Sequence, residues 1–201
     1  DNADGTVTFT GPTSTIYLQS SSTVQSGEPR LHNITLNSSG NTLTLGHHLT
    51  VEGNLTITAG TLDTDSSNNR ALTVNGDVDI ATAGTLTTNA SAVTVGAIST
   101  TGNATYNATT NANGTIINSR HSSLGRGLSM GSVDRLVHNN GKIVFQGASA
   151  LQGILINGTA TSSVGLYDVE INSTAAADCS LMGAVDIYRN LTIIEGELST
   201  H

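Results

Sequence analysis

The chain has no tryptophan, two phenylalanines and four tyrosines in 201 residues. A thick globular core leans on aromatic rings, whereas a solenoid encloses a thin one that Leu, Val and Ile can fill layer upon layer. The scarcity of rings therefore favours the solenoid. Charge is scarce as well, at 11% of residues, so Thr, Ser, Asn and Gly make a surface of hydroxyls and amides. Seven basic residues face fifteen acidic ones, and the formal charge of −8 argues against sequence-independent binding to nucleic acid or to an anionic membrane. Both of those need clustered Lys and Arg. No run approaches the roughly eighteen apolar residues of a membrane-spanning helix, so membrane insertion is not expected. No charged-then-apolar leader is visible, and the chain reads as mature or as a piece of something longer. The single cysteine, Cys179, has no internal disulfide partner. It is expected to serve as a small buried hydrophobe rather than a reactive thiol.

What the chain does have is a beat. Between Asn41 and Thr64, Leu43, Leu45, Leu49, Val51, Leu55, Ile57 and Leu62 fall on one side, with Thr44, Thr50 and Thr56 inside the successive pairs. Alternation of this kind belongs to strands. Gly46, Gly53 and Gly60 mark the joints. These joints are not the two-residue Asn-Gly or Asp-Gly turns of hairpins, so a meander is disfavoured. Three short strands and three turns come to about twenty residues, one coil of a three-sided parallel β-helix. Leu43, Leu45, Leu49, Val51, Leu55 and Ile57 are the expected core ladder.

The beat also recurs at long range. Gly5 and TVTFTG match Gly141 and KIVFQG, and Phe145 stands 136 residues after Phe9. Asn54-Leu-Thr-Ile matches Asn190-Leu-Thr-Ile, and Gly60-Thr-Leu-Asp-Thr matches Gly196-Glu-Leu-Ser-Thr, at the same spacing. A tandem unit of about 136 residues is the reading, with residues 1–141 the first copy and 142–201 a partial second. Because the second copy stops less than halfway, the chain is expected to be cut from a longer array. The same spacing sets Cys179 in the place of Leu43, facing inward. It extends the expected ladder to Leu181, Val185, Ile187, Leu191 and Ile193.

Two stretches break the rhythm. Asp63 to Arg70 reads as a projecting loop, and from Thr101 to Gly114 the apolar residues thin until the coil looks polar or absent. Residues 118–141 are an irregular, loop-rich outlier. Arg120, Arg126, Arg135 and Lys142, four of the seven basic residues, fall in it or beside it. Its glycines lack the G-x-G-x-x-G spacing of a phosphate cradle. The bland account is a flexible loop, or a short strand or helical turn around Val133 to His138. The sharper one is a positive surface contact for an anionic polysaccharide or a neighbouring subunit.

Chemistry-bearing groups are thinly spread. Asp77 and Asp79 flank Val78, so alternation turns both carboxylates outward, a spacing that suits a glycosidase pair or a calcium site in principle. No aromatic platform for a sugar lies near them in sequence, and solvated carboxylates that discourage edge pairing are the better account. Adjacent His47 and His48 point to opposite faces of a strand, and the remaining histidines lack metal spacing. No nucleophile elbow is present. Threonines at 44, 50 and 56 fall on consecutive sides, which does not build a flat ice-binding face. No metal, cofactor or catalytic residue is expected.

DGTVTFTG at residues 4–11, LTVEGNLTITAGTLDT at 49–64, ALTVNGDVDI at 71–80 and HNNGKIVFQG at 138–147 carry a resemblance. They are similar to the repeats of extracellular β-solenoid proteins, namely phage tail-fibre and other virion structural proteins and secreted bacterial adhesins. The resemblance implies a right-handed parallel β-helix, assembly with other copies or structural proteins, contact with cell-surface glycans, and a place outside the cell or on a virion surface. It brings over no catalytic residue. A structural fibre or surface protrusion is the leading expectation, a bacterial adhesin or filament the alternative. A polysaccharide depolymerase on the same scaffold stands behind both.

Overall fold

The computed structural model describes residues 5–10, 30–118, 126–131, 134–147, 151–156, 165–173 and 178–200. Among them the chain is all strand, with no helix, and the strands pair in one continuous sheet. Hence no helix is long and apolar enough to cross a membrane. Each recorded pairing between strands is parallel, and each joins a segment to one lying a coil earlier or later. The architecture is a parallel β-solenoid.

The register makes the winding explicit. One ladder climbs from Leu31 through Val51, Val74, Val95, Ile117, Phe145 and Ile171 to Ile193. A second runs from Val7 through Ile34, Leu55, Val78, Ile98, Leu128 and Ile154 to Leu181. Another joins Leu43, Leu62, Leu86, Tyr106 and Leu136. Like side chains stack at successive heights, and one apolar core links all of these ladders.

Leu43, Leu45, Leu49, Val51, Leu55 and Ile57 are buried, as is Cys179 at 1% exposure. Leu181, Val185 and Ile187 are half-buried against the same core. Leu191 and Ile193, set in the core ladder by their spacing, are 45% and 48% exposed. Their exposure has a simple cause. Ile193 does continue the ladder above Ile171, but among the described residues no strand pairs on its other side. A side chain with neighbours below and none above is only half covered.

Residues one repeat spacing apart stand in different ladders but in matching pairings: Phe9–Leu36–Ile57 corresponds to Phe145–Ile171–Ile193. Phe9 pairs with Leu36, in the ladder that leads to Ile57 and Ile80, whereas Phe145 pairs with Ile117 and Ile171. Cys179 stands outside the Leu43 ladder, yet it pairs with Leu198 as Leu43 pairs with Leu62. Coils differ in length, so an equal number of residues does not amount to a whole number of coils.

From Thr101 to Gly114 the coil is present. Strand Thr105–Asn107 carries a fully buried Tyr106 between buried Ala104 and Ala108, one large ring taking the space that leucine fills at positions 86 and 136. Hydroxyls line the adjoining corner: Ser91 Oγ donates to Thr64 Oγ1 at 2.7 Å and Thr109 Oγ1 donates to the Ser91 carbonyl at 2.7 Å. The abundant asparagines sit at corners for two reasons. Asn69, Asn89, Asn103, Asn139 and Asn140 adopt positive φ, which Asn tolerates better than most residues. Their amides also tie coils together, as Asn111 Nδ2 does to the Ala90 carbonyl at 3.0 Å and Asn139 Nδ2 to that of Ala108 at 3.0 Å.

Candidate functional site

Of the four basic residues singled out from the sequence, three lie within the described strands, each in a different ladder. Arg120 lies outside the described residues. Arg126 opens strand Arg126–Met130 and pairs with Gly153, while Arg135 is exposed and pairs with Thr105 in a different ladder. Lys142 is half-buried and its Nζ meets Glu170 Oε2 at 2.8 Å. The lysine is thus a rung between coils, joining strand Lys142–Phe145 to strand Gly165–Asn172.

Asp77 and Asp79 are not a freely solvated pair. Asp77, at a register shift and next to core Val78, is only 7% exposed, and its amide donates to Asn54 Oδ1 at 2.9 Å. Asp79 is half-buried, and burial raises its carboxyl above the usual range. His48 Nδ1 accepts the Ala71 amide at 2.8 Å, a corner contact. Among the described residues no three His, Cys, Asp or Glu side chains are placed to share a metal ion. Burial pushes the Cys179 thiol up to about 12, so the thiolate is not accessible near neutrality. A cleft of about 620 Å³ follows the corner where Gly53, Gly76 and Gly96 stack, with Glu52, Asn75, Thr94 and Asn118 on its walls. Asn75 Nδ2 there donates to Glu52 Oε2 at 2.6 Å, tying two coils together.

Among the described residues, aromatic and charged groups gather elsewhere. His138, Tyr167 and Tyr188 come from different coils and meet on one flank. The His138 and Tyr167 rings stack at 5.2 Å between centroids with 13° between planes, and Tyr188 leans on His138 at 5.5 Å. The Arg189 guanidinium lies over the Tyr167 ring, 4.8 Å from its centroid, in cation–π contact. It also grips the Asp168 carboxylate from two nitrogens, Nε at 2.8 Å and Nη2, while Asn190 Nδ2 donates to Asp168 Oδ1 at 3.1 Å. Arg189 holds the Asp168 carboxyl below its ordinary range, and the carboxylate in turn raises the guanidinium. The Lys142–Glu170 pair lies one step along the same strands, since Lys142 pairs with Asp168.

Comparison with family models, with curated proteins and with solved structures found no match. Any functional reading therefore stands on the molecule's own chemistry. The flank cluster was missed from the sequence because its members are neighbours through stacking. A signal was nonetheless there: Leu166-Tyr-Asp and Ile187-Tyr-Arg share the form apolar, tyrosine, charge, and Leu166 pairs with Ile187.

Proposed function

We propose that the chain is a length of rigid scaffold in a fibre or surface protrusion, of the virion tail-fibre or decoration kind. In this reading the coil is right-handed with three short strands per turn, and residues 1–141 and 142–201 are a whole and a partial copy of a unit of about 136 residues. Its role is mechanical and presentational, its partners are other copies or other structural proteins, and its place is outside the cell or on a virion surface.

The observation that supports this most is the ladder from Leu31 to Ile193. Every rung adds parallel backbone hydrogen bonds and apolar contact to the rung before it. Stiffness therefore accumulates with length, and irregular corners are held at defined heights. A bacterial surface adhesin or filament is the second reading, and the flank cluster favours it, since stacked rings under a guanidinium suit recognition more than bracing.

Immunogold labelling of intact virions and of whole cells with antibody to the purified chain tests both readings. Label along particle fibres supports the first, and label on cell-attached filaments the second. Label found only in the cell interior removes both.

A further inference from the structure

Asn-Gly is a dipeptide prone to spontaneous deamidation, because glycine puts no side chain in the way of ring closure. The glycine nitrogen attacks the asparagine Cγ, the Cγ–Nδ2 bond breaks, and Nδ2 leaves as ammonia with the proton that the glycine amide gives up. Water then opens the succinimide at either carbonyl, to aspartate or to isoaspartate. Three such pairs lie among the described residues, Asn75-Gly76, Asn113-Gly114 and Asn140-Gly141, each with an exposed asparagine; a fourth, Asn157-Gly158, lies outside them. In all three the attacking nitrogen is already engaged. Gly76 donates to the Gly53 carbonyl at 2.9 Å, Gly114 to that of Asn111 at 2.8 Å and Gly141 to that of His138 at 2.6 Å. Nor can the glycines give way to safer residues. A Cβ on Gly76 would strike the Gly53 carbonyl, one on Gly114 the Lys142 carbonyl and one on Gly141 the Thr109 carbonyl, each in a neighbouring coil.

We propose that Asn75, Asn113 and Asn140 are latent deamidation sites, silenced by the wound coil and released when coils part. An N–H that donates to a carbonyl gives up its proton less readily, so each hydrogen bond withholds the nucleophile. The shielding differs between sites. Gly76 sits inside strand Leu72–Thr87, bonded to the preceding coil, and Asn75 Nδ2 is itself tied to Glu52, so only separation of coils frees this pair. Gly114 and Gly141 instead close local turns, pinned to the preceding coil by Asn111 Nδ2 on the Ala90 carbonyl and by Asn139 Nδ2 on that of Ala108. Such turns open by themselves more readily than a paired strand does, so Asn113 and Asn140 are released before Asn75. Isoaspartate carries the main chain through an extra methylene and displaces every rung after it. A coil that has opened and deamidated therefore does not rewind into its old register.

The test incubates the purified chain in mildly alkaline buffer with and without guanidinium. Deamidation at each asparagine is read by peptide mass spectrometry, and isoaspartate by enzymatic methylation. All three sites are expected to react at least about tenfold more slowly in the folded chain than in the denatured one. Within the folded chain, Asn113 and Asn140 should lead Asn75, as hydrogen exchange at the amides of Gly114 and Gly141 should lead that at Gly76. Asn111→Ala removes both the tie to Ala90 and the side-chain acceptor of the Asn113 amide. It should speed Asn113 at least about threefold while Asn75 keeps its parent rate. Should that variant fold poorly, the parent chain in a guanidinium series keeps the test sharp, since Asn75 should quicken only where circular dichroism reports loss of strand. Equal folded and denatured rates at any of the three sites overturn the proposal. So does a folded Asn111→Ala chain whose Asn113 reacts no faster, or an Asn75 that quickens while the strands are intact.

Discussion

Asn33 and Asn54 share a hydrogen bond that is repeated one coil on: Asn33 Oδ1 accepts the Asn54 amide at 2.8 Å, and Asn54 Oδ1 accepts the amide of Asp77 at 2.9 Å. The ladder supplies acceptors for backbone N–H groups that the corner removes from strand pairing. Asn54→Ala should therefore lower stability by about 1–2 kcal/mol, because the Asp77 amide loses its acceptor where water reaches it poorly. Asn54→Asp keeps the acceptor and should recover most of that loss. Urea denaturation followed by circular dichroism checks the order of the three proteins.

Glycines at the same corner serve a different need from those that merely turn the chain. A Cβ on Gly76 would run into the Asn54 side-chain Oδ1 and the Gly53 carbonyl, and the carbonyl is backbone that cannot give way without separating two coils. Gly40 adopts φ +75° with open space around it. Gly76→Ala should cost roughly 2 kcal/mol or more through forced separation, and Gly40→Ala about 1 kcal/mol through its backbone angle alone. Equal losses in thermal melts would mean that close approach of coils does not set the first cost.

How far the molecule could be read in advance depends on whether a feature is local. Alternation of Leu55 and Ile57 about Thr56 is a property of three consecutive residues, and it was legible because strand geometry alone dictates it. Tyr106 was not, because its neighbours Ala104 and Ala108 are small, so a buried strand looked like a polar gap. The flank cluster was less visible still. Whether Tyr167 stacks on His138 depends on how many residues each coil spends at its corners, and no short pattern states that number. The same uncertainty hid that Phe9 and Phe145, matched in sequence and in pairing pattern, stand in different ladders.

Cys179 and Tyr106 together give the fold an alkaline limit. Burial pushes the thiol from an ordinary 9.0 to about 12 and the phenol from 10.0 to about 12. Above the ordinary values the unfolded chain loses protons that the folded chain retains, so stability is full below pH 9 and falls as pH rises through 12. Cys179→Ala should flatten the early part of that decline, where only the thiol of the unfolded chain has begun to ionise. Denaturation midpoints measured across the alkaline range in both proteins make the comparison. Identical slopes would show that the thiol ionises as readily folded as unfolded.

The Asp168–Arg189 pair should set an acid-side dependence of opposite sign. Arg189 holds the Asp168 carboxyl below its ordinary 3.8, so the folded state binds a proton there less readily than the unfolded chain does. Stability from this pair is complete above that value and is lost as pH falls through the lower, folded-state value. Arg189→Leu removes the guanidinium and leaves Asn190 as the carboxylate's remaining side-chain donor, so the Asp168 titration should move up toward the ordinary range. A carbon-detected NMR titration of the Asp168 carboxyl in the two proteins reads this directly. An upward shift with unchanged strand content confirms that the guanidinium, rather than the coil, governs the carboxylate. The same spectra report on the Tyr167 ring, whose resonances should move in Arg189→Leu because the cation above it is gone. If the carboxyl moves and the ring does not, Arg189 is held by Asp168 alone, and the cation–π contact adds nothing to the geometry of the flank.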